Sequence, residues 1–563
     1  MQKETTEAAS AQAGKHSPRS VSLATSEART KDEKKRTMKS QPWLEGGGLA
    51  MLYLLPLIAI FLAPEQNGFY HQVMPVTSLT RGALIDLLLL GFLLGLGFVW
   101  LNHLTSRLLQ RLAWIPLLFL TAELVERGVA ECLRALSTSI QVPHWAEYLP
   151  WIVLAAASLL LLVSPRAYDL TVRAVEVFLM SAGIATVFVI LPRLVIACFN
   201  QAPPEQASFA KPVRQSWHPG EPRIVWLLFD ELSYNQVIDH RQPDIDLPAF
   251  NRLQQESVSF SQLAPVGLRT ERIIPGLFLG KSLDAIQSNR RGELFWRSNS
   301  QTDWQRFTPA TTVFAAAQSQ GWGTGAVGWY NPYCRLLAPV LDRCYWTYGE
   351  FSGGKRFSRL SSQQSMWQNA RDGLPLVPQI ENAWQPVSSV QNHGNDYRKV
   401  LKQAKAMIED ENIRFAFVHL PVPHPPGVFT EPGQKANYLG NLIIADQALT
   451  ELRGVIAKTA AASDTILIVS SDHSWRVAEW RALPDWTREE ELASNGGVFD
   501  QRPVLMVRFP QQTRGEQIDR SESAMVVHQL LLDLIAGKVR TPEEWIATLP
   551  PAAAAVNQVA NKK

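Results

Sequence analysis

Five long apolar stretches lie within the first 200 residues of this 563-residue chain, and they constrain its architecture more than any other feature. They lie at about residues 47–63, 83–102, 108–126, 147–164 and 174–197. Each has about 17–24 residues, enough for a helix to cross a hydrocarbon core of roughly 30 Å. The third has Arg111, Glu123 and Glu126 near its ends, so a buried helix of a soluble protein is its alternative. We therefore expect a transmembrane domain of five helices over residues 46–200.

Basic residues in the short connections predict the orientation of this domain, because they favour the cytoplasmic side. They lie before the first stretch and in the second and fourth connections: Lys31, Lys34, Lys35, Arg36, Lys39, Arg107, Arg111, Arg166 and Arg173. An odd number of spans then places everything after about residue 200 outside. The pattern predicts an integral protein of a bacterial inner membrane, with a cytoplasmic N-terminus and a periplasmic domain.

The segments outside the apolar stretches differ in composition. Residues 1–45 are expected to be a disordered cytoplasmic tail, 201–220 a linker rich in Pro, Gln and Ser, and 549–563 a second disordered tail. The remaining segment, 221–548, is long enough to bury a full core. The net charge of the chain is only +3, which provides no global field to attract nucleic acid, so no nucleic-acid partner is expected.

Two cysteines of this segment, Cys334 and Cys344, are separated by ten residues in a loop-like stretch. This spacing can close a small disulfide loop in an oxidising compartment. The alternative is a pair of free or buried thiols. The predicted topology favours the disulfide.

The segment from 221 to 548 alternates continuous apolar runs with helical patterns. Runs typical of buried strands lie at 224–229, 413–420, 465–471 and 503–509, and residues 438–459 have apolar positions at helical spacing. Strands that alternate with helices predict an α/β sandwich around a mostly parallel sheet.

Carboxylates and imidazoles follow three of these runs. Asp230 and Glu231 follow the first, His419 and His424 the second, and Asp472 and His473 the third. Because ligands gather at the carboxyl ends of strands in such a sheet, these side chains predict a divalent cation site. Each element alone has another interpretation: a helix cap for the acidic pair, a structural residue for a lone histidine, and an ordinary turn for Ser-Asp-His.

The order of these elements resembles the alkaline phosphatase superfamily, particularly the sulfatases and the membrane-bound phosphoethanolamine transferases. The matching pieces are LLFDELS at 227–233, LRTERIIPGLFLGK at 268–281, HLPVPHPP at 419–426 and SSDHSWR at 470–476. They span about 250 residues, nearly all of the segment that follows the linker.

The resemblance implies a role for each of these residues. Asp230 and Glu231 would supply the first metal carboxylate, Asp472 and His473 would complete the site, and Thr270 would be both ligand and nucleophile. His424 would contact the oxygens of the substrate or its leaving group, and His419 would orient it. The cofactor expected is one divalent ion, zinc first, with manganese, magnesium or calcium left open. A plain helix cap is the alternative for Thr270.

Two departures from the family pattern change what the resemblance implies. The sulfatase signature, a Cys or Ser followed at two-residue intervals by Pro and Arg, directs maturation to formylglycine, but here Glu271 and Arg272 follow Thr270. A threonine cannot form that aldehyde, so sulfate hydrolysis by the standard route is disfavoured. Residues 474–502 also lack the further histidine of the transferases, which favours one metal over two.

The leading hypothesis is a membrane-anchored, metal-dependent hydrolase or transferase of phosphate-type esters, with a membrane lipid or an envelope glycan as substrate. A sulfatase-like hydrolase acting on sulfate or phosphonate esters is a second enzyme hypothesis. The alternative is a degenerate sulfatase-like domain with a non-catalytic role in binding or assembly of the envelope.

Overall fold

The computed structural model describes residues 41–62, 70, 76–135, 164–199, 217–289, 293–298, 303–348, 377–428, 437–483 and 485–549. Several predicted segments lie outside these residues: nearly all of the N-terminal tail, the fourth apolar stretch up to residue 163, the linker up to residue 216, and the C-terminal tail from residue 550.

Apolar helices form the described part of the first 200 residues. They are α1 (Pro42–Leu62), α2 (Val76–His103), α3 (Arg107–Ala135), α4 (Pro165–Ala185) and α5 (Leu191–Phe199), with a π-helical turn at Thr186–Ile190 joining the last two. Two segments in the described residues are long and apolar enough to cross a membrane, Thr80–His103 and Pro165–Phe199. The structure therefore gives two candidate spans where the sequence predicted five, although α1 and α3 are helical at the first and third predicted positions.

Glycines let the helices α1 and α4 approach closely. A Cβ atom on Gly48 would lie 2.0 Å from the carbonyl oxygen of Leu179, and one on Gly183 would lie 2.0 Å from that of Leu44. No side chain fits at such distances, so the two backbones pack directly against each other. Small residues at helix contacts are typical of membrane proteins, in which association depends on close packing.

The second region is an α/β domain. Its strands are β1 (Arg223–Asp230), β2 (Val258–Ala264), β3 (Ala285–Ser288), β4 (Leu294–Arg297), β5 (Gln305–Arg306), β6 (Thr324–Trp329), β7 (Arg343–Thr347), β8 (Phe415–Pro423), β9 (Thr465–Ser471), β10 (Leu505–Arg508) and β11 (Glu516–Ser523). Eight of them form one sheet in the order β11-β2-β10-β9-β1-β8-β6-β7, and β3, β4 and β5 form a small second sheet. The large sheet is parallel except for β10, which runs antiparallel to β9 and β2. The prediction of a mostly parallel sheet is confirmed.

Helices cover both faces of this sheet. They are α6 (Pro248–Gln255), α7 (Thr270–Leu279), α8 (Val313–Ser319), α9 (Tyr333–Leu336), α10 (Val377–Ile408), α11 (Tyr438–Ile456), α12 (Val477–Trp480), α13 (Arg488–Ala493), α14 (Val526–Ile535) and α15 (Pro542–Thr548). Alternate residues of β1 enter two separate cores: Trp226 packs with Phe278 of α7, and Leu227 lies in the core that contains Met407 of α10 and Leu449 of α11. Burial on both faces explains why every residue of β1 is buried.

The predicted disulfide is confirmed. Cys334 in α9 is bonded to Cys344 in β7, with Cα atoms 5.6 Å apart. The bond ties the segment that follows β6 to the edge strand of the sheet.

Candidate metal centre and nucleophile

Three chain segments bring polar side chains to one edge of the large sheet. Strand β1 ends at Asp230 and β9 ends just before Asp472 and His473, and these parallel strands are neighbours. The first residue of α7, Thr270, lies at the same edge in contact with Asp472. All four side chains are buried, Asp230, Asp472 and His473 with 0% exposure and Thr270 with 5%. The sequence-predicted residues thus lie together.

The hydroxyl of Thr270 points into this site. Its Oγ1 donates a hydrogen bond to Asp472 Oδ2 at 2.7 Å and lies 3.3 Å from His473 Nε2. The N-cap of α7 is Arg269, with no side-chain capping bond. The alternative interpretation, a plain helix cap at Thr270, therefore does not hold, because the hydroxyl is engaged by the site instead of the helix backbone.

His473 presents a lone pair to the site. Its Nδ1 lies 2.9 Å from the carbonyl oxygen of Ser474, which can only accept, so Nδ1 carries the proton and Nε2 is free to act as a ligand. Nε2 lies 3.2 Å from Asp472 Oδ2. A ring fixed by a carbonyl on its far nitrogen is the usual arrangement of a metal-binding histidine.

Two backbone amides hold Asp472. Its Oδ1 accepts from the N–H of Glu231 at 3.2 Å and from that of His473 at 2.8 Å. Burial raises the pKa of Asp472. The combined effect of His473, His419 and the hydrogen bond from Thr270 is larger and opposite, so the net pKa is lowered. Asp472 is therefore the ionised carboxylate of the site.

Asp230 has one engaged oxygen and one orphan oxygen. Its Oδ2 lies 3.2 Å from His419 Nε2, whose Nδ1 lies 2.7 Å from the hydroxyl of Tyr333. Burial raises the pKa of Tyr333 well above its usual range, so the phenol keeps its proton, and His419 links this phenol to Asp230. Asp230 Oδ1 is buried without a hydrogen-bond partner. Burial first and Asp472 second raise the pKa of Asp230 well above its usual value.

Glu231 is held by an arginine. Its backbone has φ of +64°, a strained value for a residue other than glycine, and its carbonyl accepts from the hydroxyl of Tyr438 at 2.9 Å. Its carboxylate accepts from Arg476 Nε at 2.6 Å and from Trp480 Nε1 at 2.8 Å. Burial lowers the pKa of Arg476, but Glu231 and Asp230 raise it more, so the guanidinium stays charged.

His424 lies on the other side of this arginine. Its Nε2 is 3.2 Å from Arg476 Nη2 and 3.9 Å from Glu231 Oε1, and its Nδ1 contacts the carbonyl of Pro425. Burial and the charge of Arg476 lower the pKa of His424 well below its usual value, so it is a neutral acceptor. From the sequence, His419 was expected to orient His424. In the structure His419 contacts Asp230 instead, and the side chain beside His424 is Arg476.

These residues fit a bound divalent cation. Asp230, Asp472 and His473 each offer a ligand atom, with all three atoms within 4.8 Å of one another, and a second such group joins Asp230, Glu231 and His424. Burying several carboxylates is costly unless a positive charge compensates them. Asp230 and its orphan oxygen belong to both groups, but the other two members of the second group, Glu231 and His424, already contact the guanidinium of Arg476. The first group is the better site for an ion.

Three side chains of this site were not given a role from the sequence. Arg476 lies within the matching SSDHSWR piece, but a single basic residue has no distinctive spacing. Tyr333 and Trp480 reach the site from α9 and α12 through tertiary contacts alone. The only sequence signal available was that Arg476 follows His473 by three residues.

Comparisons with known proteins agree with this geometry at the level of family. The family model described as Sulfatase matches residues 222–534, more than half of the chain. No curated protein matches the chain.

Several solved structures are similar at low identity. They include Ps i-CgsB in complex with k-i-k-neocarrahexaose (14% identity, 61% of this chain and 77% of that chain, TM-score 0.39), the phosphonate monoester hydrolase of Agrobacterium radiobacter (14%, 56% and 74%, 0.35) and a protein in the alkaline phosphatase superfamily from Vibrio parahaemolyticus (16%, 62% and 76%, 0.34).

Proposed function

The chain belongs to the sulfatase family, and on that premise we propose that its α/β domain cleaves or transfers phosphate-type esters through a covalent intermediate on Thr270. The observation that carries the proposal is the hydrogen bond from Thr270 Oγ1 to Asp472 Oδ2, a member of the same candidate ion site as Asp230 and His473. A hydroxyl held by a carboxylate and a histidine at the start of a helix is placed to attack an anion that the helix N-terminus attracts.

The reaction would proceed in two balanced halves. Thr270 Oγ forms a bond to phosphorus, the bond from phosphorus to the departing oxygen breaks, and the proton lost by Thr270 is the one that the departing alcohol gains. Water or an acceptor hydroxyl then attacks phosphorus and releases Thr270 with its proton restored. A divalent cation held by Asp230, Asp472 and His473 would supply Lewis acidity and lower the pKa of the hydroxyl.

Arg476 is the side chain best suited to bind the oxygens of the ester. Its guanidinium is fixed by Glu231 on one side and lies beside the neutral His424 on the other, and it remains 12% exposed. Arginine binds phosphate oxygens through several donors in one plane. In this arrangement His424 orients the arginine and approaches the substrate beside it.

The nucleophile favours phosphate over sulfate chemistry. A threonine at position 270 has no route to formylglycine, so the covalent step must use its hydroxyl directly. We therefore expect phosphate monoesters or diesters to react faster than the matching sulfate ester.

The helical region supports a membrane-borne substrate. Thr80–His103 and Pro165–Phe199 are long and apolar enough to span a bilayer, and they precede the α/β domain in the chain. We propose that the protein is anchored in a bacterial inner membrane, with the α/β domain outside the cytoplasm and a lipid head group or an envelope glycan as donor or acceptor.

The test is mass spectrometry of the full chain after reaction with a pool of membrane phospholipids. We expect a mass adduct on the peptide that contains Thr270, its absence in Thr270→Ala, and its return in lower yield in Thr270→Ser. The same assay with matched phosphate and sulfate esters of one alcohol identifies the preferred ester. Turnover by Thr270→Ala at the wild-type rate would refute the covalent mechanism.

A further inference from the structure

Tyr70 belongs to the connection between α1 and α2, yet its side chain is buried with 1% exposure in the core of the α/β domain. The same core contains Phe278, Tyr333 and Trp346. A residue of the helical region thus contributes to the packing of the domain that carries the candidate site.

Hydrogen bonds lead from Tyr70 to the candidate nucleophile. The hydroxyl of Tyr70 donates to Asn331 Oδ1 at 2.9 Å, and Asn331 Nδ2 donates to the carbonyl oxygen of Thr270 at 3.4 Å. Arg335 Nη1 donates to the backbone carbonyl of Tyr70 at 2.8 Å, which fixes this residue at a second point. Burial raises the pKa of Tyr70 well above its usual value, so the phenol keeps the proton that it donates.

The segment that receives Tyr70 is itself firmly held. Asn331 follows β6 at the carboxyl edge of the sheet, and Tyr333 contacts His419 behind Asp230. The disulfide between Cys334 and Cys344 ties the same segment to β7. Because this segment is held by the disulfide and by the contact of Tyr333 with His419, the hydrogen bond from Tyr70 fixes the position of Asn331 beside the site.

We propose that Tyr70 is a positioning residue: its side chain docks onto the α/β domain and holds Asn331 against the backbone of Thr270. The proposal rests on the proposed role of Thr270 as the nucleophile. Catalytic groups need placement to within about 0.5 Å, so the loss of one supporting hydrogen bond should lower the rate more than the binding of substrate.

Kinetics on the full chain in lipid nanodiscs test the positioning role. Tyr70→Phe keeps the ring in its core and removes the hydroxyl, so we expect kcat to fall about tenfold while KM and the bound metal stay unchanged. Asn331→Ala should lower kcat at least as much, because it removes the bond to Thr270 directly, and the double variant should be no slower than Asn331→Ala, because the hydroxyl of Tyr70 acts through Asn331. Tyr168→Phe, which removes a phenol in the helical region, is the matched control. An unchanged kcat in Tyr70→Phe, or multiplicative losses in the double variant, would overturn the proposal.

Photo-crosslinking tests the docking without reference to activity. The full chain with p-benzoylphenylalanine at position 70 should crosslink to the peptide that carries Asn331 and Arg335. Crosslinks confined to residues 41–199 would overturn the docking, whatever the protein catalyses. Efficient crosslinking with no adduct on Thr270 would leave the docking in place and count against the proposed function instead.

Discussion

The helical region and the α/β domain differ in how many large apolar side chains they expose. In the helical region large apolar side chains stand exposed, among them Leu170 at 73%, Phe188 at 75% and Phe199 at 78%. In the described part of the α/β domain, the large apolar side chains that are exposed are Leu268, Trp304, Leu483, Leu492 and Val498. Soluble proteins rarely display contiguous apolar surface, so the exposed apolar side chains of the first region agree with its two candidate membrane spans.

The two regions also differ in what their interiors contain. The α/β domain buries Asp230, Glu231 and Asp472 completely at one edge of its sheet, whereas the contact between α1 and α4 brings backbones together at Gly48 and Gly183. The buried carboxylates need a compensating positive charge, whereas the contact between α1 and α4 needs a close steric fit. Each can be disrupted separately by substitution.

The largest effect is expected from Asp472→Asn. Removing a ligand charge should abolish tight binding of the divalent ion and lower turnover by about 10³-fold or more, because Lewis acid assistance contributes several kcal/mol and 1.36 kcal/mol corresponds to a factor of ten. Metal content and initial rates are the measurements. Asp446→Asn is the control: this buried carboxylate accepts from the amides of Ala249 and Phe250 and should affect stability but not metal content. Retention of the ion in Asp472→Asn would contradict the assignment.

Removal of the ion should destabilise the protein more at pH 8 than at pH 5.5. Burial first and Asp472 second raise the pKa of Asp230, so the contribution of this carboxyl group to stability is full below its unfolded pKa and is lost as pH rises through its folded pKa. The lowered pKa of Asp472 changes stability in the opposite direction, but this change occurs below pH 5.5 and does not affect the comparison with pH 8. Thermal unfolding with and without chelator at both pH values measures the difference. Equal losses of Tm would mean that no ion compensates Asp230.

A smaller effect is expected from Gly183→Ala in the helical region. The added methyl group would collide with the carbonyl of Leu44 and force α1 and α4 apart, at a cost of about 1–3 kcal/mol. Gly97→Ala is the matched control, because a Cβ atom there meets nothing within 4 Å. Thermal unfolding in detergent should show a lower Tm for the first variant alone. Equal Tm values would show that the close packing is not needed.

The smallest effect is expected from Thr541→Ala. Thr541 caps α15 in a capping box with Glu544, so its loss should cost about 1 kcal/mol. Activity and metal content should not change. Thr270→Ala should lose activity, whereas Thr541→Ala should lose only stability. Loss of activity in Thr541→Ala would show that activity alone does not distinguish the nucleophile from a helix cap.

The sequence predicted the central strands well because they are buried on both faces. The four apolar runs correspond to β1, β8, β9 and β10, and the polar residues expected at the ends of β1 and β9 lie together at one edge of the sheet. Their continuous apolar composition leaves little alternative to a covered strand. The antiparallel direction of β10 was not predictable, because a short run has the same composition in either direction.

The remaining elements needed tertiary information. Strand β6, with the sequence TGAVGW, contains two glycines and no long apolar run, and Tyr70 stands in a connection of mixed polarity between two helices. The helix α3 formed, but its charged ends keep it outside the segments apolar enough to span a membrane. In each case burial is decided by neighbours that are distant in the chain.

The position of β1 at the centre of the sheet has a consequence for synthesis. Its two partners, β8 and β9, begin at Phe415 and Thr465, so a strand with six consecutive apolar residues, 224–229, leaves the ribosome long before either partner is made. At about 5–20 residues per second, roughly 190 residues of delay correspond to about 10–40 seconds. During that time β1 is an exposed, unpaired apolar strand that can aggregate. A chaperone that binds it on the side of the membrane where the chain emerges would prevent this.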